Sequence, residues 1–443
     1  MPRFLKRFLT EYGMLLVLLA VCAYYSIVTI ADQPVSGAPG GEALAWDVAR
    51  QVGPGAQVLI VAGDSQEDAE FVAAVEKGLS DAGIAVAEAV RGKPADARRA
   101  LKKCNDSGAK LGAIATNDVV AQWSLFEDLP RKFPALGDVP VRIPRSYVWP
   151  NFLTTKNLLN VANQIAIIAI IAIGMTMVII TGGIDLSVGS LMALSAVLAT
   201  LFIREVAGAE EATPLGMVLC CLAAMAICGG VGLANGALVT GLGLPPFIST
   251  LGIMLIASGY AYIFSEGQSI WQLPASFVWL GCGADLGRLP NAVALMLILY
   301  VVAHVVMSRT TLGRYIYAVG GNIEAARLSG VPVRRVLLLV YSITGVLAGL
   351  GGVILASQLK SGSPKYGELY ELYVIAAVVV GGTSLSGGEG RVFGTLNGAF
   401  LIAVIRNGMN LTGVESYTQK VVLGAVIVGA VSLDRLKQVY WRG

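Results

Sequence analysis

One stretch of the sequence, residues 159–180, is almost wholly apolar over 22 residues. As an α-helix it would be about 33 Å long, close to the roughly 30 Å hydrocarbon core of a bilayer. Hydrophobic residues make up 55% of the whole chain, charged residues make up 14%, and the mean hydropathy is +0.70. Ordinary soluble domains carry about 25% charged residues. The sequence therefore predicts an all-α polytopic membrane protein embedded in a lipid bilayer.

Similar apolar runs recur along the chain, separated by polar or glycine-rich residues. They predict about ten transmembrane helices, at residues 13–31, 159–180, 186–203, 214–242, 246–265, 291–307, 336–359, 372–380, 392–406 and 420–433. The run at 372–380 is short, and we expect it to extend into its glycine-rich flank or to pack inside the bundle. The first run follows a basic N-terminus, and its length favours an uncleaved span over a cleaved signal peptide.

Ten spans place both termini on one side of the membrane. Outside residues 32–145, the segments on the N-terminal side carry twelve lysines and arginines, and the opposite side carries seven. Basic residues accumulate on the cytoplasmic side of membrane proteins. Both termini, including the tail at 434–443, are therefore expected in the cytoplasm, and residues 32–145 outside it, or in the periplasm of a bacterium with an outer membrane.

Residues 32–145 form a separate domain by composition, because they hold 16 of the 29 acidic residues. Their patterns predict strands at 57–62, 84–90, 111–116 and 139–143. Predicted helices alternate with them, the first after Ser65, the second at 95–107 and the third from Asp118 to Glu127. Alternating strands and helices indicate a small parallel α/β domain. The membrane part resumes at about residue 146 and extends to 433.

Polar residues follow two of these strands, where ligands bind in parallel sheets. Asp64, Ser65, Asn117 and Asp118 could hydrogen-bond a sugar, although residues of these types also cap helices. The sequence has no GxGxxG motif, so no dinucleotide is inferred. A net charge of +3 gives no reason to expect a nucleic-acid partner, and the six cysteines show no metal-binding spacing.

Residues 309–335 are polar and basic, and they lie between two long apolar runs. Asn322 is a favourable N-cap, Glu324 suits the first turn of a helix, and Gly330 can adopt the left-handed conformation after its end. Gly320 and Gly321 would hinge this short helix at its front. A capped helix on a basic face indicates a surface that binds another protein.

Two further glycine-rich stretches interrupt the spans on the predicted cytoplasmic side. The first contains Gly183, Asp185, Ser187, Gly189 and Ser190. The second contains Gly381, Gly382, Gly388 and Glu389. Asp185 either caps the next span or belongs to a gate or transport path, because carboxylates within membrane segments are costly and often functional.

Three motifs, ITGGIDLSVGS from residue 180, GRYIYAVGGNIEAARLSGV from 313 and VVVGGTSLSGGEGRVFGT from 378, occur in this order. With PNFLTTKNLLN from residue 150, they make the chain similar to the permease subunits of ribose-type ABC importers, from about residue 149 to 433. The domain at 32–145 departs from that family, whose permeases have a short loop there. This domain weakly resembles one lobe of a periplasmic sugar-binding protein.

The resemblance implies a ten-helix permease that forms a homodimer and does not itself catalyse a reaction. It implies a cytoplasmic ATPase subunit, which would bind ATP and magnesium, and an extracytoplasmic sugar-binding protein; no cofactor is expected in this chain. It also implies that the segment at 320–330 is the coupling helix seated in the ATPase. The residues of that segment are Gly320, Gly321, Asn322, Glu324, Ala325, Ala326, Arg327, Ser329 and Gly330.

The polar residues within the spans are candidates for lining a weakly binding path for a sugar or another small solute. They are Asn163, Asn235, Thr240, Ser249 and Thr250, although such groups also join helices to each other. An ion-coupled transporter is a second hypothesis, but titratable groups are scarce in the spans, where His304 and Asp185 are the obvious ones. A membrane sensor is a third hypothesis, but it does not explain why the chain has so many spans.

Overall fold

The computed structural model describes residues 3–52, 55–285, 287 and 289–441. Residues 1–2 and 442–443, at the ends of the expected cytoplasmic N-terminus and tail, lie outside the described residues. The chain folds into two compact units. The helical unit contains the residues up to Thr29 and those from Phe152 onward, and the α/β unit is Ile30–Asn151.

Helix α1, Arg3–Val28, opens the chain. The elements of the α/β unit follow it, in chain order β1 (Ile30–Gln33), α2 (Gly37–Gln51), β2 (Gln57–Ala62), α3 (Gln66–Asp81), β3 (Ala85–Arg91), α4 (Pro94–Asp106), β4 (Leu111–Thr116), α5 (Asp118–Ala121), α6 (Leu129–Lys132), β5 (Val141–Arg142) and β6 (Tyr147–Pro150).

The α/β unit is built on a four-stranded parallel sheet with the strand order β3-β2-β4-β5. Successive side chains of a strand point to opposite faces. In β2, Ile60 therefore packs in one cluster with Phe71 of α3, whereas Leu59 packs in another with Leu101 of α4. Both faces of the sheet are covered, which explains why β2 is a continuous apolar run.

The α/β unit differs from the sequence-based expectation in four places. Helix α2 is not predicted from the sequence, and it packs Leu44 and Val48 into the cluster that contains Phe71 of α3. The expected third helix to Glu127 ends at Ala121, because the following residues form turns before α6 begins at Leu129. The expected fourth strand shortens to the two residues of β5. The unpredicted strands β1 and β6 pair antiparallel in a sheet of their own, with Ile30 opposite Pro150 and Gln33 opposite Tyr147.

The helical unit continues after Phe152. Its helices are α7 (Thr155–Ile180), α8 (Val188–Glu205), α9 (Pro214–Gly241), α10 (Pro246–Phe264), α11 (Trp279–Cys282), α12 (Asn291–Arg309), α13 (Thr311–Gly321), α14 (Ile323–Leu328), α15 (Val333–Leu359), α16 (Tyr370–Val380), α17 (Val392–Leu411) and α18 (Ser416–Trp441).

Among the described residues, seven helices are long and apolar enough to cross a membrane: α7, α8, α9, α10, α12, α15 and α17. The apolar part of α1, Gly13–Val28, and α16 are shorter. Helix α7 is the centre of the bundle, since every residue from Ile165 to Ile180 is buried. It packs against α12, α15, α16 and α17. These features are those of a polytopic membrane protein.

Helix α16 has only 11 residues, and a non-helical segment, residues 361–369, precedes it. This segment runs beside α8. A Cβ atom on Gly362 would lie 2.6 Å from the carbonyl oxygen of Ala196, and one on Gly367 would overlap the carbonyl oxygen of Gly189. Glycine is needed at both positions because another backbone lies too close for a side chain. The short apolar run in the sequence is thus one helical part of a discontinuous segment.

Candidate functional site

The three glycine-rich motifs meet at one place in the helical unit, which we call the glycine junction (residues 180–183, 320–321 and 387–388). The Gly388 amide donates a hydrogen bond to the Ile180 carbonyl oxygen over 2.8 Å. A Cβ atom on Gly320 would overlap that same oxygen and lie 2.7 Å from the Gly388 nitrogen. Three segments distant in sequence are therefore held in backbone contact, which only glycine permits at Gly320.

The two glycines expected to hinge the short helix have different surroundings. Gly320 and Gly321 are the last residues of α13, a helix that is not predicted from the sequence. A Cβ atom on Gly321 would meet no atom within 4 Å. Tyr317 of α13 adds a further link to the third motif, since its hydroxyl donates to the Gly390 carbonyl oxygen over 2.8 Å.

Helix α14 has the predicted caps. The Asn322 side chain accepts hydrogen bonds from the amides of Glu324 (3.0 Å) and Ala325 (2.9 Å), and Gly330 has φ +81°. Ala326 is its buried residue, and the side chains around it are exposed. Leu328 is 89% exposed. Helix α14 is therefore capped, and every residue of it except Ala326 is accessible.

Asp185 lies in a buried polar network. Its Oδ1 atom accepts hydrogen bonds from the amide (2.8 Å) and hydroxyl (2.6 Å) of Ser187, the residue before α8. The side-chain amide of Asn235 in α9 donates to the Ser187 hydroxyl over 3.1 Å, and the hydroxyl of Ser249 in α10 donates to the Asn235 Oδ1 atom over 3.0 Å. The network ties the start of α8 to α9 and α10.

The remaining candidates for path lining are also hydrogen-bonded within the bundle. Thr250 donates to the Pro246 carbonyl oxygen (2.9 Å) and Thr240 to that of Gly236 (2.8 Å), each within its own helix. Asn163 donates to the Gly281 carbonyl oxygen over 2.9 Å. These bonds, like those of Asn235 and Ser249, join or brace helices, and a role in lining a path stays a prediction.

The other residues of the two glycine-rich stretches differ in burial: some are packed tightly against neighbouring helices and others are exposed. A Cβ atom on Gly183 would lie 2.6 Å from the Tyr341 hydroxyl, and one on Gly381 would lie 2.7 Å from the Cα of Thr395. Gly382 has φ +91°, and the Glu389 side chain is exposed. Gly189 and Ser190 border a groove with residues 364–369, which the sequence does not predict.

A family model described as the branched-chain amino acid transport system permease component matches residues 157–431. This region contains all three motifs, the glycine junction and α14. The chain belongs to this permease family. No solved structure matches the chain.

Several curated relatives of this permease are sugar permeases by name. The ribose import permease protein RbsC of Escherichia coli (strain K12) is 43% identical over 293 residues, which cover 65% of this chain and 88% of that protein. RbsC of Bacillus subtilis (strain 168) is 44% identical over 315 residues, 70% of this chain and 95% of that protein. The D-allose transport system permease protein AlsC of E. coli (strain K12) is 38% identical over 285 residues, 64% and 85%. The predicted resemblance to ribose-type permeases is confirmed.

The polar residues of the permease's α/β unit lie outside the matched region, at the carboxyl ends of β2 and β4. Ser65 caps α3 and Asn117 caps α5. The Asn117 amide also donates to Asp68 over 2.6 Å. Asp64 is exposed and Asp118 is half-buried. Capping therefore occupies Ser65 and Asn117, and a ligand site at these four residues stays a prediction.

The described residues contain no group of three or more histidine, cysteine, aspartate or glutamate side chains that could hold a metal ion.

Proposed function

We propose that this chain is the membrane-spanning subunit of an ATP-driven importer for a monosaccharide, ribose or a closely related sugar. The observation that carries the proposal is the identity of 43–44% to permeases named for ribose, which extends over 88–95% of their length. Relatives named for allose and galactose support the wider class of monosaccharides.

The permease crosses the membrane ten times in this proposal. The seven long apolar helices are joined by the apolar part of α1, by α16 with its preceding segment, and by α18. Both termini and α14 then lie in the cytoplasm, in accord with the excess of basic residues on that side. The α/β unit lies outside the cytoplasm. A bacterial inner membrane is the location that this arrangement implies.

Helix α14 couples the permease to a separate ATPase subunit. Its exposed face, its caps and its contact with the bundle through Ala326 support this role. Movement of α14 would reach the spans through α13, because Gly320 touches the end of α7 and the third motif. The permease contributes no catalytic residue, and ATP with magnesium binds to the ATPase.

Two further partners complete the proposed importer. A second copy of the permease forms a homodimer with the first, and a separate extracytoplasmic binding protein delivers the sugar. The α/β unit is then an appendage and not the sole receptor.

The test is uptake by proteoliposomes that hold the permease, its ATPase and its binding protein. Labelled ribose, xylose, allose, galactose and leucine are offered with and without internal ATP; leucine is included because of the family description. We expect ATP-dependent uptake of one pentose or hexose and none of leucine. Uptake of leucine without uptake of any sugar would overturn the proposal.

A further inference from the structure

A groove of about 210 Å³ lies where the 361–369 segment meets α8 and α10, and its lining combines apolar side chains such as Met254 and Leu255 with polar and charged ones. Ser190 lines it from α8, Ser258 and Tyr262 line it from α10, and Lys365, Glu368 and Glu371 line it from the segment and the start of α16. Lys365 and Glu368 are exposed, and Glu371 is half-buried against Gly189.

The groove lies beside the first two turns of α8, and the 361–369 segment runs along that helix. The 361–369 segment is beside Thr200 at Gly362 and beside Gly189 at Gly367. These two positions on α8 are eleven residues apart, which is about 16 Å along a helix. The segment therefore descends through roughly half of the 30 Å hydrocarbon core before α16 begins.

Charged side chains and open backbone at this depth cannot face lipid. A carboxylate or ammonium group at the bilayer centre costs about 2.5–3.5 kcal/mol on insertion scales. Non-helical backbone at membrane depth is tolerated where it is buried in protein or lines a water-filled cavity. Since Lys365 and Glu368 are exposed, the groove side of α8 and α10 faces water.

The chemistry of the groove suits one sugar molecule. Carboxylate oxygens accept hydrogen bonds from hydroxyl groups, and serine and tyrosine hydroxyls both donate and accept them. The volume of the groove is below the roughly 300–1,000 Å³ of sites for drug-sized ligands, as a site for one small molecule requires. Discontinuous helices form substrate sites near the midplane in many transporters.

We propose that this groove is a wall of the translocation path, in which the carboxylates of Glu371 and Glu368 accept hydrogen bonds from the hydroxyl groups of the passing monosaccharide. The proposal rests on the proposed function for the identity of the substrate. The prediction that the groove is aqueous does not depend on it.

The first experiment tests for water in the groove. Ser258→Cys and Ile256→Cys are each made in a chain that also carries Cys282→Ser, because Cys282 is an exposed native thiol. Residue 256 is in the same helix at a similar depth, is 55% exposed and does not line the groove. In the assembled importer, a charged methanethiosulfonate should label residue 258 at least about tenfold faster than residue 256. Equal rates would overturn the proposal, whether or not any sugar is imported.

The second experiment measures sugar uptake by the same proteoliposomes. Glu371→Gln and Glu368→Gln should each lower ribose uptake about tenfold, because each weakens one charge-assisted hydrogen bond. ATP hydrolysis by the assembled complex reports folding and should persist. Glu210→Gln, an exposed glutamate between α8 and α9, is the matched control. If the wild-type complex imports sugar and both groove variants import it equally well, the groove is not part of the path. If the wild-type complex imports no sugar, it is the proposed function that fails.

Discussion

Gly320 and Gly321 are adjacent residues with opposite tolerance for a side chain. Alanine at 320 would place its Cβ against the Ile180 carbonyl oxygen and the Gly388 amide, both backbone atoms that cannot rotate away. We expect Gly320→Ala to destabilise the permease by about 1–3 kcal/mol, the usual cost of overpacking. The measurement is the melting temperature of the purified permease in detergent, together with the uptake rate of the assembled importer.

Gly321→Ala is the control for this substitution. Its Cβ would meet no atom within 4 Å, and alanine favours the helical conformation by roughly 0.5–1 kcal/mol over glycine. Its melting temperature should equal or slightly exceed that of the wild type. Equal melting temperatures of the two variants would show that the segments of the glycine junction can move apart without loss of stability.

At the scale of the element, we expect a substitution on the exposed face of α14 to weaken binding to a partner without affecting the folding of the permease. Leu328 is 89% exposed, so Leu328→Glu should leave the stability of the permease alone within about 0.5 kcal/mol. If the ATPase covers this side chain, the substitution removes about 1.5–3 kcal/mol of apolar burial, and binding weakens by at least about tenfold. Affinity for the ATPase in detergent, and ATP hydrolysis by the complex, are the readouts.

Leu242→Glu serves as the comparison for that prediction. Leu242 is 71% exposed in the turn between α9 and α10, on the side where we propose α14 to lie. It should leave affinity for the ATPase unchanged. Equal losses from the two variants would indicate a general effect of charge on that side and would argue against α14 as the coupling element.

Local features could be predicted from the sequence, and features that depend on distant partners could not. The caps of α14 involve residues within a few positions of each other, so Asn322 and Gly330 identify them. The sequence does not predict helix α13 because glycines at 313, 320 and 321 lower its helix propensity, while its stability comes from packing Ile316 and Val319 into the bundle. The sheet of β1 and β6 was missed for the same reason, since its partners are more than a hundred residues apart.

In the candidate site, too, local features are predictable from the sequence and contacts between distant segments are not. Three motifs were recognised from sequence, but their meeting at the glycine junction depends on how α7, α13 and α17 pack. The sequence shows that Asn235 and Ser249 are polar within spans. It does not show that they bond to each other and to Ser187. The acidic residues of the groove stand next to a short apolar run, and only the fold places them beside α8.

On the scale of the whole molecule, the α/β unit has hydrophobic clusters of its own, and its first and last strands are paired. The hydrophobic clusters on the two faces of its sheet consist of its own residues. Strands β1 and β6 lie side by side, so its entry and exit are adjacent. In the helical unit, the Phe152 amide donates to the Thr29 hydroxyl over 3.0 Å, which brings the same two chain segments together.

Joining Gln33 to Tyr147 through Asn-Gly would therefore convert β1 and β6 into a hairpin, because these two residues are paired and this dipeptide favours the two-residue turn. We expect the shortened permease to purify with a melting temperature close to that of the helical unit in the full chain. We also expect it to bind the ATPase and to import sugar from the separate binding protein, since the family model matches residues 157–431, outside this unit. Uptake and ATP hydrolysis are compared with those of the full chain. Loss of uptake with ATP hydrolysis retained would instead make the α/β unit a necessary receptor, and sugar binding at the edge that holds Asp64 and Asp118 would then be the property to measure.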